Sequence, residues 1–231
     1  MKKNSSIYYL NLAGNVIKDE GLIALAEAMA VNCTIKEIIL RNNSISNDGV
    51  IALAEALAVN SSIRVIDLAY NSIGDEGIKV LAEALKVNST VKTIHFEFNS
   101  IGFEGALGLS EALKVNSTIV ELNLGCNSIG DAGVVALANA LKVNSTVTEI
   151  YLHGNSIGVD GARSLTQVLT VNSTLTRLIL SSNSIGSEGG LLFSEALKVN
   201  SSIMEVILQG NAIDPQSGQL FVRNSDGRII C

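Results

Sequence analysis

The chain has no tryptophan, a single proline, three cysteines and nine aromatic residues in 231 positions. Three cysteines, Cys33, Cys126 and Cys231, are odd in number and far apart, so a disulfide framework is excluded and three free thiols are expected. No basic cluster accompanies the net charge of −6, which excludes nucleic acid and anionic membrane as main ligands. Long apolar runs are also missing. Mean hydropathy is high at +0.37, yet the longest stretches, such as Leu22 to Ala26, are cut by charges like Glu27. None approaches the roughly 18 residues that span a bilayer. Lys2 and Lys3 precede Ala28-Met29-Ala30, but Asn11, Asn15, Lys18, Asp19 and Glu20 lie between, so no signal-peptide core is present.

What the chain does have is a period. Asn15, Asn43, Asn71, Asn99, Asn127, Asn155, Asn183 and Asn211 stand 28 residues apart, each closing the phrase apolar-x-x-apolar-x-apolar-x-x-Asn-x-apolar. A strict period of that length is the signature of a stacked repeat array, with units starting near 7, 35, 63, 91, 119, 147, 175 and 203. One elongated domain over 1–231 is the simplest organisation, and residues 214–231 read as an irregular cap. There Pro215 interrupts the last helical slot, and Leu220 to Ile230 reads as a hairpin turning at Asn224 to Gly227.

Within a unit, Ile63, Ile66 and Leu68 alternate with Arg64, Val65 and Asp67, a short strand with one face inward. Asn71 follows at the turn, where its amide can satisfy backbone groups, and eight such residues predict an asparagine ladder. A helix is expected from about Gly74 to Lys86, with Asp75 and Glu76 at the positive end of its dipole and Lys86 at the negative end. Gly77 and its counterparts leave room for close approach. Strands about 4.8 Å apart and helices about 10 Å wide, stacked on opposite sides, bend the array with the sheet inside. A second set, Asn4 and then Asn32 through Asn200 at the same stride, begins N-x-Ser/Thr triplets. These are read as left-handed helix ends, not glycan acceptors, which favours a reducing, cytoplasmic compartment.

The phrase Leu178-Ile179-Leu180-Ser181-Ser182-Asn183-Ser184-Ile185 and its seven counterparts resemble leucine-rich repeats of the ribonuclease-inhibitor-like class, from Ile7 to about Ile213. The resemblance implies an α/β solenoid, an open horseshoe of eight 28-residue repeats with a parallel sheet on the concave face and helices on the convex face. The uniform period is similar to the sensor repeats of NOD-like receptors and to leucine-rich repeat effectors of intracellular bacteria. It implies a non-catalytic scaffold that binds a protein partner on the concave sheet and adjoining loops, in the cytoplasm or delivered into a host cytoplasm. Ran GTPase-activating proteins share the class, so activation of a small GTPase is the alternative. No catalytic residue and no cofactor is implied.

Positions flanking the core apolar residues carry any specificity. The exposed strand columns gather Tyr70, Phe98 and Tyr151 with both histidines, His95 and His153, so these five are the expected partner-binding residues. Glu97 and Cys126 lie between the histidines, but that spacing matches no known ligand motif, and no metal site is expected. Glu37, Glu121, Glu149 and Glu205 share a strand column and read as a solvated acidic edge. The first strand is an open edge that Lys2 and Lys3 would protect by charge and through which weak self-association is expected.

Overall fold

A computed structural model describes residues 4–231; Lys2 and Lys3, the expected guards of the first edge, lie outside the described residues. Each repeat opens with a three-residue strand: β1 Tyr9–Asn11, β2 Glu37–Ile39, β3 Val65–Asp67, β4 Thr93–His95, β5 Glu121–Asn123, β6 Glu149–Tyr151, β7 Arg177–Ile179 and β8 Glu205–Ile207. The helices between them are α1 Lys18–Met29, α2 Asn47–Val59, α3 Asp75–Val87, α4 Phe103–Leu113, α5 Gly130–Leu141, α6 Val159–Leu169 and α7 Gly186–Ala196, and the chain closes with α8 Pro215–Asn224 and β9 Ile229–Ile230. All strands join one parallel sheet in chain order. Neighbours pair without slippage, Ile38 beside Ile66, Ile94 and onward, so equivalent residues form straight columns across the sheet. From β2 to β8 the second residue of each strand and the apolar residue two places on, Ile94 with Phe96 or Leu122 with Leu124, are buried against the helices and form one continuous core, against which Leu10 and Leu12 pack partly buried.

The asparagine ladder is present. The Nδ2 group of Asn127 donates to Leu124 O at 3.1 Å in its own turn and to Phe96 O at 3.0 Å one repeat back, while its Oδ1 accepts from Ile101 N at 2.9 Å. The same pattern recurs at Asn43, Asn71, Asn99, Asn155, Asn183 and Asn211. Among the described residues, the amide of Asn15 bonds within its own turn, to Leu12 O and Ala13 O.

The N-x-Ser/Thr asparagines make a second ladder, and here the expectation of left-handed helix ends fails. Asn60 and Asn88 are extended, with φ of −74° and −72°. The reason is their side chains. Asn116 Nδ2 reaches back to Leu85 O at 2.7 Å and Asn88 O at 3.1 Å, and its Oδ1 accepts from Thr118 N and Ile119 N, both at 2.9 Å. The residue ends one helix, starts the next strand and ties both to the previous repeat. From Asn32 to Asn200 these side chains are buried.

Asp75 and Glu76 stand in the first turn of α3 and Lys86 in its last, as expected. The Asp75 carboxylate also reaches the next repeat: Oδ1 accepts from Gly102 N at 2.6 Å and Gly105 N at 2.9 Å at the start of α4. Asp19, Asn47 and Asp131 cap α2, α3 and α6 in the same way. A β-carbon on Gly105 would stand 2.7 Å from the Asp75 oxygen, so the glycine is what admits the cap. Burial works to raise the Asp19 pKa, but the bonds from Ser46 and Gly49 prevail and hold it below the usual range. In repeats 4 and 6, Phe103 and Val159 occupy the capping position. The helices that follow, α5 and α7, start instead through the left-handed Gly130 and Gly186, whose amides donate to Asn155 O and Asn211 O.

The C-terminal segment is not the hairpin or irregular cap expected. Asp214 Oδ1 accepts from Gln216 N and Ser217 N, so Pro215 stands in the first turn of α8, where its missing amide proton is no loss. The chain then turns at Gly227, with φ of +76°, and β9 adds to the sheet parallel to β8. Arg228 lies 28 residues beyond Asn200 and does the work of the second ladder, donating to Leu197 O at 2.6 Å and Asn200 O at 2.7 Å. This is a ninth, shortened repeat.

Candidate functional site

At the exit of each strand the chain must swing outward so that the next residue, the ladder asparagine, can turn in. Gly14, Asn42, Tyr70, Phe98, Cys126, Gly154, Ser182 and Gly210 make that swing with φ between 51° and 72°. Glycine and asparagine suit this left-handed conformation; other residues sit in it at a cost of roughly 1–2 kcal/mol each. Tyr70 and Phe98 are therefore conspicuous. They are adjacent in the column, 39% and 41% exposed, with rings stacked at 4.2 Å and 26°. The Arg41 guanidinium lies 4.4 Å from the centre of the Tyr70 ring. Stacking returns about 0.5–1.5 kcal/mol and an exposed cation–π contact about 0.5–1, which only offsets two strained backbones. The fold gains little from this stack.

One column inward, His153 lies flat across the sheet. Its Nε2 meets Glu97 Oε1 at 3.1 Å, 56 residues and two repeats away. Gly125 makes the crossing possible, because a β-carbon there would fall 2.0 Å from His153 Cε1. The Cys126 thiol completes the group, with the three ligand atoms within 4.8 Å of one another. Burial, and then the Glu97 charge, push that thiol's pKa up.

The centre of the sheet carries two further pairings. His95 Nε2 meets Glu121 Oε1 at 3.1 Å. Tyr151 donates its hydroxyl proton to Glu149 at 2.7 Å and accepts from Arg177 at 3.2 Å, while Arg177 also donates to Glu205 at 2.6 Å. Burial, then the bond to Glu149, push the Tyr151 phenol up to about 12. The column read as a solvated acidic edge is thus largely engaged, since Glu121, Glu149 and Glu205 each have a cationic or histidine partner.

The five residues expected from sequence all lie in this band of repeats 3 to 6, but they divide among four groups of contacts. Tyr70 and Phe98 are together; His95 and Tyr151 face different glutamates; His153 belongs with Glu97. The histidines do not meet. Sequence reasoning passed over Arg41 and Arg177 and set aside Glu97 and Cys126 as ligands. Laying the 28-residue columns side by side would have found Arg177, which falls between Glu149 and Glu205 in register.

The pattern described as Leucine Rich repeat matches residues 3–26, 31–54, 59–82, 115–138, 143–165 and 171–194. Between the third and fourth matches it skips residues 83–114, which carry His95, Glu97, Phe98 and Phe103. Among solved structures, leiomodin-1 actin-binding site 2 superposes with a TM-score of 0.55 at 23% identity, over 64% of this chain and 85% of that one. The tropomodulin C-terminal domain of Caenorhabditis elegans gives 0.54 at 19%, over 65% and 90%. These two likenesses concern the fold. No curated protein matches the sequence. With six matched units over more than half its length, each coinciding with a strand-turn-helix repeat, the chain belongs to the leucine-rich repeat family.

Proposed function

We propose that the chain is a non-catalytic scaffold that binds a protein partner on the concave sheet and strand-exit rim of repeats 2 to 6. Arg41, Tyr70 and Phe98 form the anchor, and His95, Tyr151 and His153 lie beside it. The observation that carries this reading is the stacked aromatic pair held in left-handed backbone with little return in stability, the kind of local strain that collects at functional sites. Aromatic and arginine side chains also dominate binding hot spots. A second apolar feature exists: seven valines at or just past the helix ends, from Val31 to Val199, are 63–73% exposed at the same stride. That row is uniform and singles out no repeat, whereas the stack does. The uniform period supports a place among the ribonuclease-inhibitor-like effectors and sensor regions. A cytoplasmic setting is supported by the second ladder, since a glycan on a buried Asn116 would break its bonds to Leu85 and Asn88.

The test is affinity purification with the chain and its Tyr70→Ala/Phe98→Ala variant, after circular dichroism has shown both folded. A protein retained by the first and weakened by about 1–2 kcal/mol or more with the second supports the assignment. Equal retention, or loss instead on Val87→Asp/Val115→Asp, moves the site to the helical side. Accelerated GTP hydrolysis by a captured GTPase replaces the non-catalytic reading.

A further inference from the structure

The group of Glu97, Cys126 and His153 is not explained by folding. Its side chains come from three successive repeats and lie on the solvent side of the sheet, with Glu97 and His153 side chains each 21% exposed. His153 Nδ1 is sealed from solvent and makes no hydrogen bond, while Nε2 faces Glu97 Oε1 at 3.1 Å and is the nitrogen the ring offers to a ligand. Two glycines clear the space: Gly125 beneath the imidazole, and Gly154, where a β-carbon would lie 3.1 Å from Cys126 Sγ. The backbone beneath is rigid, with Cys126 N donating to His153 O at 2.7 Å and Phe98 N to Gly125 O at 3.0 Å.

From this geometry we infer that Glu97, Cys126 and His153 form a binding site for one zinc ion, with the remaining coordination position open to the concave solvent. The donor set is one carboxylate oxygen, one sulfur and one imidazole nitrogen. Thiolate and imidazole suit zinc and are poor ligands for the hard cations magnesium and calcium. A tetrahedral zinc with bonds of about 2.0–2.3 Å needs ligand atoms roughly 3.3–3.6 Å apart. The Glu97 to His153 distance of 3.1 Å is already close to that, and all three atoms lie within 4.8 Å of one another, so small side-chain rotations suffice. On binding, the Cys126 S–H proton passes to solvent and the thiolate takes its place on the metal. The zinc site shares His153 with the proposed partner surface, but titration with the metal alone reads it without any partner.

The experiment uses the full chain carrying Cys33→Ser and Cys231→Ser, which removes the two exposed thiols. It is titrated calorimetrically with zinc chloride alone and, in parallel, with cobalt(II), whose thiolate charge-transfer absorption reports sulfur ligation. One ion per chain, with that absorption, is expected. Cys126→Ser and His153→Gln should each weaken binding by at least about tenfold, and Gly125→Ala should do so by displacing the imidazole. Circular dichroism confirms that each variant is folded, and if one is not, the other two decide. No bound ion, cobalt without thiolate absorption, or unchanged affinity in the folded variants overturns the assignment.

Discussion

The second asparagine ladder makes the sharpest prediction about stability. Asn116→Ala removes four hydrogen bonds to the backbone at once, the donations to Leu85 O and Asn88 O and the acceptances from Thr118 N and Ile119 N, together with a longer bond from Thr118 Oγ1 at 3.3 Å. Asn116 itself is 5% exposed. Each made bond contributes about 1 kcal/mol net, and each buried group left unsatisfied costs about 1–3. Four such groups set an upper limit of roughly 12 kcal/mol, but Thr118 is only half-buried and water can reach the cavity that alanine leaves. A loss of roughly 2–4 kcal/mol is expected. Against a typical total of about 5–15 kcal/mol, that is a large fraction. The site also lies at the middle interface of an array whose repeats stabilise one another only through neighbours, so the loss should uncouple the two halves. Urea unfolding followed by circular dichroism measures it, and at about 2 kcal/mol per molar the midpoint should fall by roughly 1–2 M. The control is Glu83→Gln, an exposed partner of Lys86 at 2.6 Å, expected to change stability by less than about 0.5 kcal/mol. If Asn116→Ala unfolds with the control, the ladder is not what couples the repeats.

Other outcomes follow from the same bonds and angles. Tyr70→Asn installs the residue that repeat 2 uses at the same left-handed position, Asn42, so relief of roughly 1–2 kcal/mol of strain should offset the lost stack and leave stability within about 1 kcal/mol of the parent; a loss above about 2 kcal/mol in thermal unfolding would mean that the aromatic pair serves the fold. Phe103→Asp restores the missing cap for α5 and should stabilise by about 0.5–2 kcal/mol, read as a raised melting temperature, because the repeats that carry Asp19, Asn47, Asp75 and Asp131 use that bond. Tyr151 should ionise only near pH 12 in an ultraviolet titration compared with Tyr151→Phe. Its raised folded pKa means the native state holds a proton that the unfolded chain releases near pH 10, so this residue's contribution to stability falls as pH rises from about 10 to 12.

The solenoid was legible because its information is local and repeated: Ile63, Ile66, Leu68 and Asn71 lie within nine residues and recur at every step. Beyond the first asparagine ladder, what escaped was the bonding that crosses from one repeat to another. Asp75 stands at the start of its own helix in sequence, so its dipole was the natural reading, yet it is bonded 27 and 30 residues ahead. Asn60 looked like a left-handed helix end because nothing nearby competes for its amide; the competitors, Met29 O and Asn32 O, are a full repeat behind. Pro215 looked like an interruption only while the preceding Asp214 was not seen as its cap. The candidate site shows the same limit. His153 reaches Glu97 only because Gly125, in the repeat between them, has no side chain, and no motif spacing encodes a bond whose condition is an absence in a third place.

The two ladders also make the chain adjustable in length. In the first ladder each amide from Asn43 to Asn211 reaches one carbonyl 31 residues back; in the second it reaches carbonyls 28 and 31 residues back, and the residue found there is the equivalent one: Asn88 uses Leu57 and Asn60, Asn116 uses Leu85 and Asn88, Asn144 uses Leu113 and Asn116. If residues 63–90 were excised, Asn116 would find Leu57 and Asn60 waiting where Leu85 and Asn88 had been, and no donor would lose its acceptor. Gene duplication or deletion in whole units therefore costs the two ladders no hydrogen bond, while an insertion of any other length into a strand and its turn disrupts the register on both sides. Arrays of this kind can lengthen or shorten to suit the object they hold, and the surface offered to a partner can be extended one repeat at a time.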